Sequence, residues 1–160
     1  MGYHGRNTVW GFRDRVRKNL VFLSHARSHG ADVHVVSELI TSLLGLIVFP
    51  YEEIKRSRYT SLKKYALTGL YEKGWPKWTF DIGSSNDLHD LVKHLRNAIS
   101  HRRLFFSSDS RDPEEVEVRF RDRLTDDKPD YWAATINAAD LQKFVLLFAD
   151  LLEEFEPTDL

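Results

Sequence analysis

The sequence predicts an all-α fold, a four-helix bundle with a short extra helix and a small β-hairpin before the last helix. Four segments repeat apolar residues at the i, i+3, i+4 spacing of an amphipathic helix. Glycine, proline and capping residues separate these segments. The 160 residues are 42% hydrophobic and 29% charged, so we expect one domain over residues 1–160 with a substantial core.

The first two helices precede a region that is harder to assign. The apolar positions of the first helix are Phe12, Val16, Leu20 and Leu23. We expect this helix to end at Gly30, and the second to run from a cap at Asp32 until Pro50 ends or kinks it. Several glycines between Arg56 and Asn86 predict a short helix around Thr60 to Tyr71, followed by a loop.

The second half of the chain contains two more helices around a β-rich stretch. One of residues 84–87 caps the third main helix, whose apolar stripe is Leu88, Leu91, Val92, Leu95, Ala98 and Ile99. Three stretches then predict a hairpin or a three-stranded insert, namely Leu104–Phe106, Val116–Arg121 and Tyr131–Ile136. Asn137 caps the final helix and Pro157 closes it.

The third main helix carries Arg96 and His101, five residues apart. Arginine stays protonated and its planar fork matches phosphate oxygens, whereas histidine titrates near physiological pH and transfers protons. The helical spacing places the two residues at opposite sides of the polar face, with Lys93 and Asn97 between them. A phosphate resting there would meet a cation, hydrogen-bonding groups and an imidazole.

One exposed helix face does not exclude water or surround a phosphodiester bond. A groove needs a second wall, so we expect another helix to complete the site. The copy of the same helix in a symmetric dimer is the simplest source of that wall.

The pattern of arginine, a polar residue, three further residues and histidine resembles the signature of the HEPN family. Arg96 and His101 match the two signature positions, and Asn97 matches the polar position. Residues 33–50 are also similar to a buried helix of a plasmid and mobile-element subgroup of that family. Members are helical-bundle proteins, commonly dimeric, and many are endoribonucleases of toxin-antitoxin, phage-defence and RNA-processing systems.

The resemblance implies metal-independent RNA cleavage, with no cofactor, by attack of a ribose 2′-hydroxyl on the adjacent phosphorus. His101 would act as general base or acid, and Arg96 would stabilise charge on the phosphoryl oxygens. Asn97 would orient the phosphate or the histidine. Lys93, Arg102 and Arg103 would extend the RNA-binding surface.

A HEPN toxin subgroup has a tyrosine two residues after the histidine, which a partner nucleotidyltransferase modifies. Arg103 occupies that position here, so the sequence departs from the pattern on which this regulation depends. An antitoxin or a nucleotidyltransferase therefore stays an expectation for the partner, beside RNA and a second copy of the chain.

Each site residue also has a purely structural interpretation. Cations at the end of a helix, including His101, Arg102 and Arg103, are favourable with its dipole. Arg96 equally suits an ion pair with Asp90. The alternative function is therefore a non-catalytic HEPN-like module that binds RNA or a protein through the same face.

Two further patterns leave alternatives open. Tyrosine and tryptophan alternate with lysine between Lys55 and Trp78, which suits either RNA stacking or ordinary packing. His25 and His29, followed by His34, have metal-ligand spacing, but no carboxylate or cysteine is spaced to complete a site, so no metal is predicted.

Composition, the first residues and the strongest apolar run suggest a cytoplasmic protein. The chain contains no cysteine, which excludes disulfides and zinc-cysteine sites. Residues 1–6 lack an apolar signal core, and the apolar run of residues 39–49 is too short to span a bilayer. We therefore expect no membrane association.

Overall fold

The computed structural model describes residues 10–53 and 59–155. The α-helices in this part of the chain are α1 (Trp10–Ser28), α2 (Val35–Glu53), α3 (Leu67–Glu72), α4 (Leu88–Ser100) and α5 (Ala138–Leu152). The strands are β1 (Thr79–Ile82), β2 (Leu104–Phe106), β3 (Glu117–Asp122) and β4 (Trp132–Asn137). Short 3-10 helices span Tyr59–Lys64, Pro113–Glu115 and Glu153–Phe155. Residues 1–6 and Pro157, on which two expectations rest, lie outside the described residues.

The prediction of an all-α fold is wrong, because the four strands form one antiparallel sheet in the order β1-β4-β3-β2. Strands β2, β3 and β4 lie in the three stretches whose alternation predicts strands. Strand β1 was missed and lies where a loop was predicted. It is an edge strand of four residues, mostly exposed, with a bulge between Phe80 and Ile82, so it lacks the apolar alternation of a half-buried strand.

One face of the sheet packs against the helices and shares their core. Val118, Phe120 and Asp122 of β3 alternate onto this face and are buried. The ring of Trp78 contacts Phe120 of β3 and Phe144 of α5 edge-on, with ring centroids 5.7 and 5.3 Å apart. Such aromatic pairs add to the stabilisation from apolar burial, so the sheet is part of the core rather than an appendage.

Helices α1 and α2 pack closely against each other at Gly45. A Cβ atom at this position would overlap the Phe12 ring, which explains a glycine within an otherwise apolar run.

Helix α2 begins at Val35, after Asp32, whose carboxylate pairs with Arg111 instead of capping the helix. The helix also continues to Glu53, past Pro50. No helix in the described residues is both long enough and apolar enough to cross a membrane.

Helices α4 and α5 begin as the sequence predicts. Asp87 caps α4, and its Oδ1 accepts a hydrogen bond from the backbone N–H of Asp90 at 2.9 Å. Asn137 caps α5 in the same way through the N–H of Ala139, also at 2.9 Å. The predicted apolar stripe of α4 is buried along its whole length, so the opposite, polar face of this helix is left to the surface.

Packing explains the described aromatic residues of the basic segment. Trp78 is buried, and Tyr71 and Trp75 are half-buried against the core. Tyr65 is also half-buried, and its hydroxyl donates to Glu154 at 2.5 Å. These rings are therefore occupied by contacts within the protein, which favours the packing alternative.

Candidate functional site

The polar face of α4 carries Arg96, while His101 follows directly after the last helical residue. Lys93 and Ser100 are exposed and Asn97 is half-buried between them. Helical geometry separates Arg96 from His101 by roughly 7.5 Å along the axis and about 140° around it. Arg96 is half-buried, whereas His101 is exposed. The pair therefore borders one open, polar surface.

The position of His101 is fixed by the way in which α4 ends. The backbone N–H of Arg103 donates to the carbonyl of Ala98 at 2.8 Å, and that of Arg102 donates to Ile99 at 3.1 Å. These two bonds are those of a Schellman motif with His101 as the C-cap residue. The backbone of the histidine is thus held although its side chain is exposed.

Arg102 occupies the left-handed position of this motif, with φ of 55°. Helices α1 and α3 end with equivalent pairs of backbone bonds, and there the left-handed residues are Gly30 and Gly74, with φ of 83° and 85°. A residue with a Cβ atom is strained in this conformation by roughly 1 kcal/mol or more. Helix α4 therefore places an exposed cation where the other two helices place glycine.

A buried carboxylate, Asp122 at the end of β3, accepts hydrogen bonds from three side chains. His94 Nδ1 lies 2.8 Å from its Oδ2, Asn97 Nδ2 donates to the same oxygen at 3.0 Å, and the Tyr131 hydroxyl donates at 2.9 Å. His94 and Asn97 both belong to α4. Asp122 therefore connects the sheet directly to the helix that carries Arg96.

The hydrogen bonds keep Asp122 ionised despite its burial. Desolvation is the largest single effect and raises the pKa, but the donors Asn97, His94 and Tyr131 together outweigh it, so the pKa lies below the ordinary value of 3.8. Desolvation and the bond to Asp122 raise the pKa of Tyr131 to about 12. This tyrosine is therefore a neutral donor near pH 7.

His94 is wedged between two acids and two aromatic rings. Its ring stacks on Trp132 with centroids 4.7 Å apart and meets Tyr131 edge-on at 5.6 Å. Its Nε2 lies 3.5 Å from Asp90 Oδ1. Because both ring nitrogens face carboxylates and the ring is buried, the position of His94 is fixed by packing and by its contacts with Asp90 and Asp122.

Sequence reasoning missed the cluster of Asp122, His94 and Tyr131. Asp122 carried a signal, because it follows Val118 and Phe120 at the two-residue period of the buried strand face, where a carboxylate requires partners. His94 lies beside the apolar stripe of α4. Tyr131 gave no signal of its own, since only the sheet register brings it to Asp122.

Arg103 was predicted to bind RNA, but the structure places it inside the protein. It is 8% exposed, and its Nη2 donates to Asp126 at 2.8 Å while its Nη1 donates to the carbonyl of Arg123 at 3.0 Å. Nη1 also lies 3.7 Å from Asp122 Oδ1. The contacts of Arg103 are thus internal, and its role is to join the end of α4 to the β3–β4 connection.

Asp126, the acid that Arg103 binds, also interacts electrostatically with His101. The hydrogen bond and the charge of Arg103 hold the pKa of Asp126 below its ordinary value, and His101 adds a smaller contribution. The β3–β4 connection therefore borders the surface at His101.

The histidines with metal-ligand spacing contact each other instead. The rings of His25 and His29 stack with centroids 4.2 Å apart, and His29 Nδ1 bonds to the backbone carbonyl of His25 at 2.9 Å. Across residues 10–53 and 59–155, no group of three or more His, Cys, Asp or Glu side chains is arranged to hold a metal ion.

Comparison with protein families confirms the resemblance seen in the motif. The family profile described as HEPN pEK499 p136 matches residues 1–159. The chain belongs to this HEPN family. The plasmid-associated subgroup suggested by residues 33–50 is thereby confirmed. No curated protein and no solved structure matches the chain.

We predict that Asp122 makes the stability of this HEPN protein dependent on acid pH. A carboxyl whose pKa is lowered by folding stabilises the folded state above its ordinary pKa of 3.8, and this stabilisation is lost as the pH falls through the lower folded value. Asp122→Asn should therefore reduce the free energy of unfolding by about 3 kcal/mol at pH 7. Urea unfolding of both proteins between pH 7 and pH 3 measures this difference.

The difference between wild type and Asp122→Asn should shrink as the pH falls below about 5. Asp112, Asp126 and Asp127 also have lowered pKa values, but they are present in both proteins and cancel. Two curves that stay parallel down to pH 3 would contradict the assignment.

Proposed function

We propose that the protein is a metal-independent endoribonuclease that acts as a toxin or defence effector. The proposal rests above all on the placement of Arg96 and His101 at the borders of one open face of α4, in a chain that belongs to a HEPN family. Asn97 lies between them, at the polar position of the motif. The substrate is RNA, since the mechanism requires a 2′-hydroxyl.

The reaction proposed is an internal transesterification. His101, acting as general base, takes the proton of the ribose 2′-hydroxyl, whose oxygen then bonds to the adjacent phosphorus. The bond from phosphorus to the 5′-oxygen breaks, and a general acid protonates the departing oxygen. Arg96 stabilises the charge on the non-bridging oxygens in the transition state. The products are a 2′,3′-cyclic phosphate and a 5′-hydroxyl end.

A second copy of the chain supplies the general acid in this proposal. The face between Arg96 and His101 is open to solvent on one side, so a symmetric dimer would close it and bring a second His101 into the same cleft. This arrangement gives the two proton transfers to two identical histidines. An antitoxin or a nucleotidyltransferase that covers this face would inhibit the enzyme.

We predict RNA cleavage in excess EDTA by the wild-type protein and its loss, by at least about 100-fold, in His101→Ala and Arg96→Ala. Removal of His101 deletes the proton carrier, and removal of Arg96 deletes the cation beside the phosphoryl oxygens. The assay uses end-labelled single-stranded and structured RNA, with the cyclic phosphate detected by its resistance to phosphatase.

The matched controls are His25→Ala on α1 and Arg119→Ala on the sheet, which lie outside the α4 face and should cleave like the wild type. Cleavage that survives in His101→Ala would reject the proposed base. RNA binding without cleavage, equal in the wild type and both α4 variants, would instead support a non-catalytic RNA-binding module.

We predict that Arg102→Gly has opposite effects on stability and RNA affinity. Glycine relieves the left-handed strain and should raise the free energy of unfolding by about 1 kcal/mol. Loss of the exposed cation should weaken RNA binding and lower the dependence of affinity on salt by about one phosphate contact. Urea unfolding and fluorescence anisotropy with labelled RNA measure the two effects.

Arg102→Ala separates charge from strain. This control should lose the same RNA affinity as Arg102→Gly without its gain in stability, because alanine retains the Cβ atom. If neither variant changes RNA affinity, Arg102 is not a phosphate contact and its charge serves the helix end alone.

We predict that mixing Arg96→Ala with His101→Ala restores part of the cleavage activity. A heterodimer of the two variants contains one intact Arg96 and one intact His101 in a shared cleft, so one of the two proton transfers keeps its histidine. Each homodimer lacks one residue type entirely. Cleavage is followed after the inactive proteins are mixed, and sedimentation equilibrium gives the oligomeric mass. A monomeric mass would reject the shared cleft, whereas a dimer without recovery would show that both proton transfers need a histidine.

A further inference from the structure

The contacts of Asp122 surround the motif that the proposed function uses. Two of its partners, His94 and Asn97, lie on α4 at hydrogen-bond distance, and a third, Arg103, lies just after the helix at 3.7 Å. Arg96 and His101 fall between the first and the last of these positions. We propose that Asp122 is a positioning residue of the ribonuclease site, acting through Asn97 and the end of α4.

The strand that carries Asp122 is rigid enough to serve as an anchor. Strand β3 is an interior strand, paired with β4 on one side and β2 on the other. Asp122 lies opposite Trp132 in this register, and both are 1% exposed. A buried carboxylate that loses its donors is strongly destabilised, so the strand and the helix are held at one separation.

The bond to Asp122 also determines how Asn97 is oriented. Asn97 Nδ2 donates to Asp122 at 3.0 Å, and because an ionised carboxylate only accepts, the Asn97 amide must direct its nitrogen toward the sheet. The carboxamide oxygen of Asn97 is then turned away from Asp122. In the proposed cleft this oxygen accepts a hydrogen bond from a donor, either the 2′-hydroxyl or the imidazole N–H of His101, and does not contact a phosphate oxygen.

Arg103 extends the same anchor beyond the helix. Its guanidinium joins Asp122 and the Arg123 carbonyl, while its backbone N–H completes the Schellman motif at Ala98. His101 lies between these contacts and Asn97. A change at Asp122 is therefore transmitted to both sides of the proposed general base.

The decisive experiment compares Asp122→Asn with Asp130→Asn by steady-state RNA cleavage and by NMR. Asp130 is also a shielded carboxylate near the end of β3 and accepts from Arg121 and Arg123 at 3.3 and 2.8 Å, so its variant is the matched control. We expect Asp122→Asn to lower kcat by roughly 10-fold to 100-fold with KM within about twofold, because misplacement weakens the transition state more than binding.

The side-chain amide resonance of Asn97 is the readout that a general loss of stability would not move. This resonance, assigned from its absence in Asn97→Ala, should shift in Asp122→Asn and stay unchanged in Asp130→Asn. Measurements are made where circular dichroism shows both variants to be folded. A folded Asp122→Asn whose kcat lies within about twofold of the wild type would overturn the inference.

Tyr131→Phe covers the case in which Asp122→Asn does not fold. It removes one donor to Asp122 at the half-exposed side of the cluster and leaves both α4 donors in place. We expect a smaller fall in kcat, roughly threefold, together with a shift of the Asn97 resonance, since the remaining donors readjust around the carboxylate. No change in either quantity would overturn the inference.

The inference rests on the proposed ribonuclease activity, and the two can fail separately. If the wild type cleaves no RNA, the proposed function fails and the NMR result alone decides whether Asp122 holds Asn97. An unmoved resonance in Asp122→Asn would then reject the anchor as well. If the wild type cleaves and only the Asp122 result is negative, the function stands without this positioning residue.

Discussion

The structure around α4 depends on the need to satisfy one buried negative charge. Asp122 cannot remain ionised inside the protein without donors, and the side chains that donate to it come from two separate parts of the chain: α4 and the residue directly before β4. The two α4 contacts span 28 and 25 residues, and the contact with Tyr131 spans nine. The carboxylate therefore favours one packing of helix on sheet over others that would bury the same apolar area. Any shift of α4 along β3 would separate the charge of Asp122 from its hydrogen-bond donors.

This constraint also fixes the helix that carries the HEPN motif within a fold of helices and one sheet. The apolar stripe of α4 packs on α2 and on β3, which leaves its polar face at the surface while the buried side is held by the sheet. A helix fixed in this way presents Arg96 and Asn97 in set positions without enclosing them. Preorganisation on one side and openness on the other are what a site completed by a second chain would require.

The sequence predicted most elements but not the architecture they form. Helical periodicity located α1, α2, α4 and α5, and alternation located β2, β3 and β4, because each signal is local. Strand β1 and the contacts of Asp122 with α4 depend on pairing across more than twenty residues, for which the sequence offers no local pattern. Arg103 shows the same limit: a cation after a helix looks exposed in sequence, and only the β3–β4 connection, through Asp126, buries it. In the same way, spacing in the motif gave Arg96 and His101 as candidates, whereas the contacts of Asp122 with the same helix were found only in three dimensions.

The two arginines that follow α4, Arg102 and Arg103, differ in whether the stability of the helix accounts for their charge. Interaction with the helix dipole is worth roughly 0.3–1 kcal/mol and accounts for a positive charge near a C-terminus. It does not account for that charge in the left-handed position, because α3 combines Lys73 at its C-cap with Gly74 at the next residue and so has both the cation and the relaxed backbone. Arg103 fits the structural interpretation, since its charge is used internally. Arg102 does not, because its backbone is strained while its side chain is exposed. Strain retained beside an exposed histidine therefore favours the proposed role of Arg102 in RNA binding.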